Sequence, residues 1–488
     1  MRINKFYSKI IVGLAIAFFI VLFSFLAIKR YQTLNSYYYD LGIMDQVVYN
    51  TSRGRLLQMT NQDLMKNVSR FAIHFDPIMI IFSPFYLIYK GPEILLVGQA
   101  AIVGMGAWAV FLLAEEILRI GHKKSKSYLM PVIFSLLYLF YFAIQRVVLF
   151  DFHGVALATT FLLFALYYLE VKKWNRYFFY IILSLFTKEH IGLVIFLLGL
   201  YIVFIKKEKR VGLITSLLGF AFFVVTVYLI IPLSRGGSHF AIGYFGHIRE
   251  RFFSIIKDGF RYSIMILTPS IYSLFSPLVL MIAIPEWAIN VVSSNNNMTS
   301  YLYHYNSVIV SFVFYSLILG SRNFNYLVKN KVIRNLFFII YISLNLYSVY
   351  KYNPLPYFVE KSIRYEEIRS ITRDTIDDWR EKLKDENIAV STTPKLAPFF
   401  TERITYQNFL YDPSYAEMSQ TEDDIMKTID DYKVADYVII YRPEIGDIDS
   451  QTVPVKFYER LKEDKNYRMI YSDDISEKSI EVYRKIKS

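Results

Sequence analysis

The 488 residues are 54% hydrophobic and 18% aromatic with a mean hydropathy of +0.32, which excludes an ordinary soluble globular chain. The net charge of +12 is uneven: from residue 351 onward 22 Lys and Arg face 28 Asp and Glu, so the first 350 residues carry +18. In an apolar chain that basic excess fits cytoplasmic loops and anionic headgroups and implies no nucleic acid, while the lack of Cys removes disulfides and thiolate chemistry.

The first apolar run, residues 10–28, is long enough to cross about 30 Å of hydrocarbon and reads as a retained transmembrane helix. Five basic clusters follow the positive-inside pattern: Arg2 with Lys5 and Lys9, 122–126, Lys172 to Arg176, Lys206 to Arg210, and Arg322 to Arg334. Placing all five in the cytoplasm gives about eleven crossings. They are 10–28, 93–118, 128–149, 154–171, an out-and-back segment 177–205 broken at 187–190, 211–232, a pair within 253–291, 304–320 and 333–350. Residues 71–90 do not fit that count, and His74, Asp76, Pro77 and Pro84 suit an interfacial or re-entrant helix on the outer face.

The expected fold is a mainly α polytopic membrane protein, residues 1–350, with 29–92 as its first external loop. The tail, 351–488, alternates helix and strand (379–394, 435–441, 455–474) and reads as a small extracytoplasmic α/β domain. The N-terminus is then cytoplasmic, and the protein is multi-pass in the cell membrane.

On this topology the chemistry-bearing residues gather at the external face. Asp40 precedes the helical pattern 41–53 and reads first as an N-cap, with Gly54 closing the helix and Asp45 on its polar face. His74 and Asp76 lie beside the membrane, where polar groups are costly unless paired or wet. Asp151 and His153 sit where a span leaves the membrane; the plainer reading is an interfacial turn, with Arg146 pairing to Asp151. Lys188, Glu189 and His190 interrupt an apolar segment, either as a self-neutralising Lys–Glu pair or as a lysine reaching an anionic headgroup or phosphate. His304, in YLYHYN, could contact phosphate or sugar, and the glycine-rich 234–247 reads as a mobile loop. A divalent metal is compatible with these acids and histidines but not demanded, and no ligand set is assigned. No Walker A, G-x-S-x-G or H-E-x-x-H sequence occurs.

The blocks DLGIMDQVVYNTSRG, HFDPIMIIFSPFY, DFHGVALA, TKEHIGL and NVVSSNNNMTSYLYHYNS, with IAVSTTPKLAPFFTERITYQNF and ADYVII in the tail, resemble a prokaryotic predicted-membrane-protein family. It is the domain-of-unknown-function 2079 family, grouped with the GT-C glycosyltransferase superfamily. Gly154 and His190 depart from the pattern, which has proline and aspartate there. The resemblance implies a GT-C-like helical bundle and an enzyme moving sugar from a polyprenyl-phosphate donor to a glycan, lipid or protein acceptor. By position it puts Asp40 on the acid of the first external loop and Asp151 on that of the second. Asp40 is then the expected base with Asp45 in reserve, and Lys188 and His304 the stabilisers of the leaving phosphate. A transporter or flippase of lipid-linked or anionic solutes, and a non-catalytic envelope scaffold, are the competing readings.

Overall fold

The protein is described by a computed structural model covering residues 4–62, 66–121, 127–246, 248–355, 368–409, 431–446, 452–473 and 479–486. The basic cluster at 122–126 and His247 lie outside the described residues. The chain forms two compact units, neither continuous in sequence. The first comprises 1–27, 73–78 and 96–364; the second comprises 28–72, 79–95 and 365–488. Most of the first external loop therefore groups with the tail, whereas the sequence assigned it to the transmembrane domain.

The first unit is helical. Five helices among the described residues are long and apolar enough to cross a membrane: Lys5–Gln32, Glu93–Leu118, Lys209–Arg235, His304–Leu327 and Lys331–Tyr352. Leu129–Phe140 and Phe142–Leu149, bent by 43°, make a sixth if taken together. The expected eleven therefore include elements that fall short by themselves. Trp174–Leu185 has 12 residues, about 18 Å at helical rise, and Ile191–Tyr201 continues through a wider turn only to Lys206, about 24 Å in all. The break at 187–190 is present between those two helices. His304–Leu327 is the central helix, buried over 89% of its most apolar window, while Lys331–Tyr352 is buried over only 17% and presents its apolar surface outward. The 71–90 run makes no α-helix. It holds a 3-10 helix, Pro77–Leu87, with Pro84 inside it.

The second unit is built on a five-stranded sheet and a two-stranded hairpin. The hairpin pairs β1 (Gln58–Asn61) with β2 (Lys66–Ser69) and had no sequence signal. The sheet contains β3 (Val390–Thr392), β4 (Tyr406–Asn408), β5 (Tyr437–Tyr441), β6 (Tyr467–Ser472) and β7 (Ile480–Lys485), in the order β4-β3-β5-β7-β6. Its first three strands run parallel and its last two pairings are antiparallel. Helices Ser370–Lys382 and Val453–Glu463 precede β3 and β6, in accord with the expected α/β alternation. The first-loop segment joins this sheet through buried polar contacts. Tyr406 N–H donates to Thr60 Oγ1 at 3.0 Å and Asn408 N–H to Gln62 Oε1 at 2.6 Å, and the Tyr38 ring stacks on Tyr406.

Two local expectations need correction here. Asp40 is not an N-cap: a helical turn already begins at Tyr38, Asp40 lies inside it, and the Ile43–Ser52 helix continues from Gly42. Gly54 does follow that helix, with φ +81° in the left-handed region suited to glycine. Asp45 is not a solvated residue but fully buried, at 0% exposure. Its Oδ1 accepts from the Tyr86 hydroxyl and its Oδ2 from the Thr401 hydroxyl, both at 2.8 Å.

Burial, and then the nearby Glu402 carboxylate, push the Asp45 pKa well above the usual range against those two hydroxyls. A carboxyl whose folded pKa is raised contributes its stability below the unfolded value of about 3.9, and loses it as pH rises through the folded value. Asp45→Asn, which cannot ionise, is therefore expected to melt about 2–4 °C above the parent at pH 8 and level with it at pH 3.5. Melting in detergent at the two pH values checks this; a lower Tm at pH 8 would contradict it.

Candidate functional site

The ionisable residues of the first unit gather where its chain leaves regular helix. Segment 73–78 runs beside the break at 186–190, with Ile78 N–H donating to the Phe186 carbonyl at 3.0 Å. Glu189 is the hub of that contact. Its Oε1 lies 2.9 Å from His74 Nδ1 and 3.2 Å from His239 Nε2, and its Oε2 accepts the Phe75 N–H at 3.0 Å. Burial alone would raise the Glu189 pKa; the imidazoles of His74 and His239, with Lys188 beyond them, overcome this and hold it well below the ordinary range. Of the two readings of this break, the self-neutralising Lys188–Glu189 pair is not formed among the described residues; Glu189 sits instead in a His–Glu–His cluster. Lys188, half-buried, makes no ion pair among the described residues.

His74, Glu189 and His239 place their ligand atoms within 4.8 Å of one another, a spacing that fits a two-histidine, one-carboxylate metal set. The second nitrogen of His239 decides against it. His239 Nδ1 accepts the Ala241 N–H at 3.1 Å, so the proton of the neutral ring sits on Nε2, the atom facing Glu189. A metal-ligating histidine instead donates from its other nitrogen. As arranged, the three residues form a hydrogen-bonded carboxylate.

The Asp151–Gly154 turn reaches the same place. Gln99, on the Glu93–Gly104 helix, donates to the Asp151 carbonyl at 3.2 Å and accepts the His153 N–H at 2.8 Å, which fixes the turn from the side. The departure from proline at 154 has a steric context: a Cβ there would lie 3.1 Å from Ile78 Cγ2 and 3.4 Å from the Thr187 carbonyl, with Asp76 Cβ at 3.9 Å. Three segments therefore close around one glycine, bringing Asp76 and the 187–190 break to the turn. Arg146 donates to the Tyr352 carbonyl through Nε and Nη2, at 3.1 and 3.0 Å.

His153 stacks on His304 with ring centroids 3.7 Å apart. Two imidazoles so close cannot both carry charge cheaply. His153, Lys188, His74 and His190 all lie close enough to act electrostatically on His304, and His239 shares Glu189 with His74, so all five described histidines and the lysine belong to one neighbourhood. His304 is buried and its Nδ1 has no hydrogen-bond partner among the described residues. His190 Nε2 lies 2.8 Å from Glu286 Oε2 without hydrogen-bond alignment. One helical turn beyond Glu286, Asn290 donates to the Tyr262 hydroxyl at 3.0 Å, and Tyr262 donates to Asn306 at 2.6 Å.

Of the residues selected from sequence, His74, Asp76, Asp151, His153, Lys188, Glu189 and His304 all fall in the first unit and in these contacts. Asp40 and Asp45 fall in the second unit. Sequence reasoning missed Gln99, His239 and Glu286. Glu286 was detectable, since an acid within an apolar run is costly unless paired. His239, in a glycine-rich stretch, and Gln99, in an apolar helix, carried no such signal.

No curated protein matches the chain at a significant level. A family profile described as a predicted membrane protein, DUF2079, matches residues 30–474. That span takes in the 73–78 segment, the Asp151–Gly154 turn, the helix break and most of the tail sheet, and the chain therefore belongs to the DUF2079 family of predicted membrane proteins.

Proposed function

We propose that this protein is an integral-membrane transferase that moves a sugar from a polyprenyl-phosphate carrier to a hydroxyl acceptor at the external membrane face. The observation that carries the reading is Lys188, which makes no ion pair among the described residues and lies in the electrostatic neighbourhood of the buried His304 and Glu189. An acceptor oxygen would attack the anomeric carbon, its proton passing to a carboxylate, while the bond from that carbon to the phosphate oxygen breaks. The lipid phosphate leaves with the bonding electrons, and its growing charge is what Lys188 and His304 are suited to stabilise. GT-C kinship, inferred from the sequence blocks, points the same way.

Two acids compete for the base. Asp151 belongs to the histidine cluster, and Asp40 is the position favoured by the resemblance. With purified protein in vesicles, a labelled polyprenyl-phosphate sugar and a pool of envelope acceptors, the parent is expected to form a covalent product. The asparagine variant of the true base, Asp151→Asn or Asp40→Asn, should lower that rate about 10²–10⁴-fold. Movement of the labelled lipid across the vesicle without a new covalent product would instead support a flippase, a reading that the broken helix at 187–190 would also suit.

A further inference from the structure

The Phe252–Leu267 helix divides into three sectors that together describe a membrane-surface helix. At about 100° per residue, Phe252, Phe253, Ile256, Phe260 and Ile264 fall within about 120° of arc, and all are exposed, Phe253 at 84% and Phe260 at 70%. Lys257 and Arg261, also exposed, border that arc and make no ion pair among the described residues. The remaining arc holds the helix's buried residues, Gly259, Tyr262, Met265 and Ile266, with Asp258 partly buried and Ser254 exposed.

That buried side is tightly joined to the first unit. A Cβ at Gly259 would lie 3.0 Å from both Trp287 and Val291, and Trp287 Nε1 donates to Ser263 Oγ at 2.9 Å. Arg251, just before the helix, donates to the Val292 and Ser293 carbonyls at 3.3 and 2.7 Å. Its inner Tyr262 is the residue bonded to Asn290 and Asn306, so one helix has a lipid-suited face and a face on the candidate site.

The sequence read this stretch as the start of a crossing. With 16 residues, and with Lys257, Asp258 and Arg261 in its middle, the helix is not among the candidate spans. An apolar arc with a basic border is instead the pattern of a helix lying in the interface, its rings among the upper acyl chains and its cations at phosphate level. We propose that the Phe252–Leu267 helix lies in the plane of the membrane surface and docks on anionic phospholipid headgroups through Lys257 and Arg261. This does not depend on the transfer reaction; it would bring anionic lipid to the outer side of the helix whose inner side bounds the histidine cluster.

The parent has no cysteine, so nitroxides can be attached at single introduced cysteines at 253, 256, 257, 260, 261 and 264. In vesicles of three parts phosphatidylcholine to one part phosphatidylglycerol, labels at 253, 256, 260 and 264 should share one depth, about 5–10 Å below the phosphates. Labels at 257 and 261 should sit near phosphate level and react with an aqueous nickel chelate. A depth changing steadily by about 16 Å from 253 to 264 would mean a crossing and overturn the proposal. Apolar positions closed to lipid oxygen would mean a protein cover and overturn it equally. The double variant Lys257→Gln, Arg261→Gln should lose at least about fivefold of the preference for spin-labelled phosphatidylglycerol over phosphatidylcholine. An unchanged preference would remove the anionic-lipid assignment.

Discussion

Glu189→Ala is expected to be the most damaging single substitution in the first unit. It removes at once the acceptor of the His74 and His239 imidazoles and of the Phe75 N–H, at a carboxylate that is itself buried. A buried donor left without its acceptor costs about 1–3 kcal/mol, so the combined loss should reach about 3–5 kcal/mol. It should appear as a lower melting temperature in detergent and as protease cutting within 73–78 and 234–246, the segments tied to this carboxylate. Glu189→Gln keeps an oxygen for one donor but turns an NH2 toward another, so it should recover less than half of the loss. If the alanine variant melts with the parent, Glu189 does not hold these segments together.

Lys188→Met is expected to behave in the opposite way, removing activity while sparing the fold. Among the described residues the lysine has no ion-pair partner to strand, and methionine fills a similar half-buried volume. If its ammonium stabilises a leaving phosphate, its loss should cost about 10²–10³ in the rate of sugar transfer. Lys188→Arg, which keeps the charge but changes its geometry, should restore part of that rate. Transfer by the methionine variant within threefold of the parent, at equal protein, would remove Lys188 from the reaction.

Much of this architecture could be read from the residues because it depends on local pattern. The helix break at 187–190, the tail strands at 437–441 and 467–472 and the glycine after the Ile43–Ser52 helix follow from period, charge and turn chemistry. Contacts between distant segments were less legible. Asp45 read as solvated because helix periodicity says which residues share a face, but not that Tyr86 and Thr401 cover that face. The β1–β2 hairpin escaped notice because its strands have four residues each and no apolar alternation. At the candidate site, the cost of charge in apolar surroundings pointed to His74, Asp76, Lys188 and Glu189, while Asp151 was marked by its place at the end of a span and by the family resemblance. The partners that determine their chemistry, His239 and Glu286, come from stretches read as loop and span. Gly154 is the converse case: it departs from a pattern in sequence, and the structure shows Ile78 and Thr187 packed close against it.

The second unit places a demand on the order of synthesis. Thr60 and Tyr406 bond across 346 residues of chain, as do Gln62 and Asn408. At about 5–20 residues per second, the ribosome needs roughly 20–70 s to make the strand that the first-loop hairpin requires. During that interval the Thr60 and Gln62 side chains must be served by water, by lipid headgroups or by a chaperone. A ribosome-arrested chain ending before residue 390 should leave residues 38–62 open to protease, and release of the full chain should close them in one step.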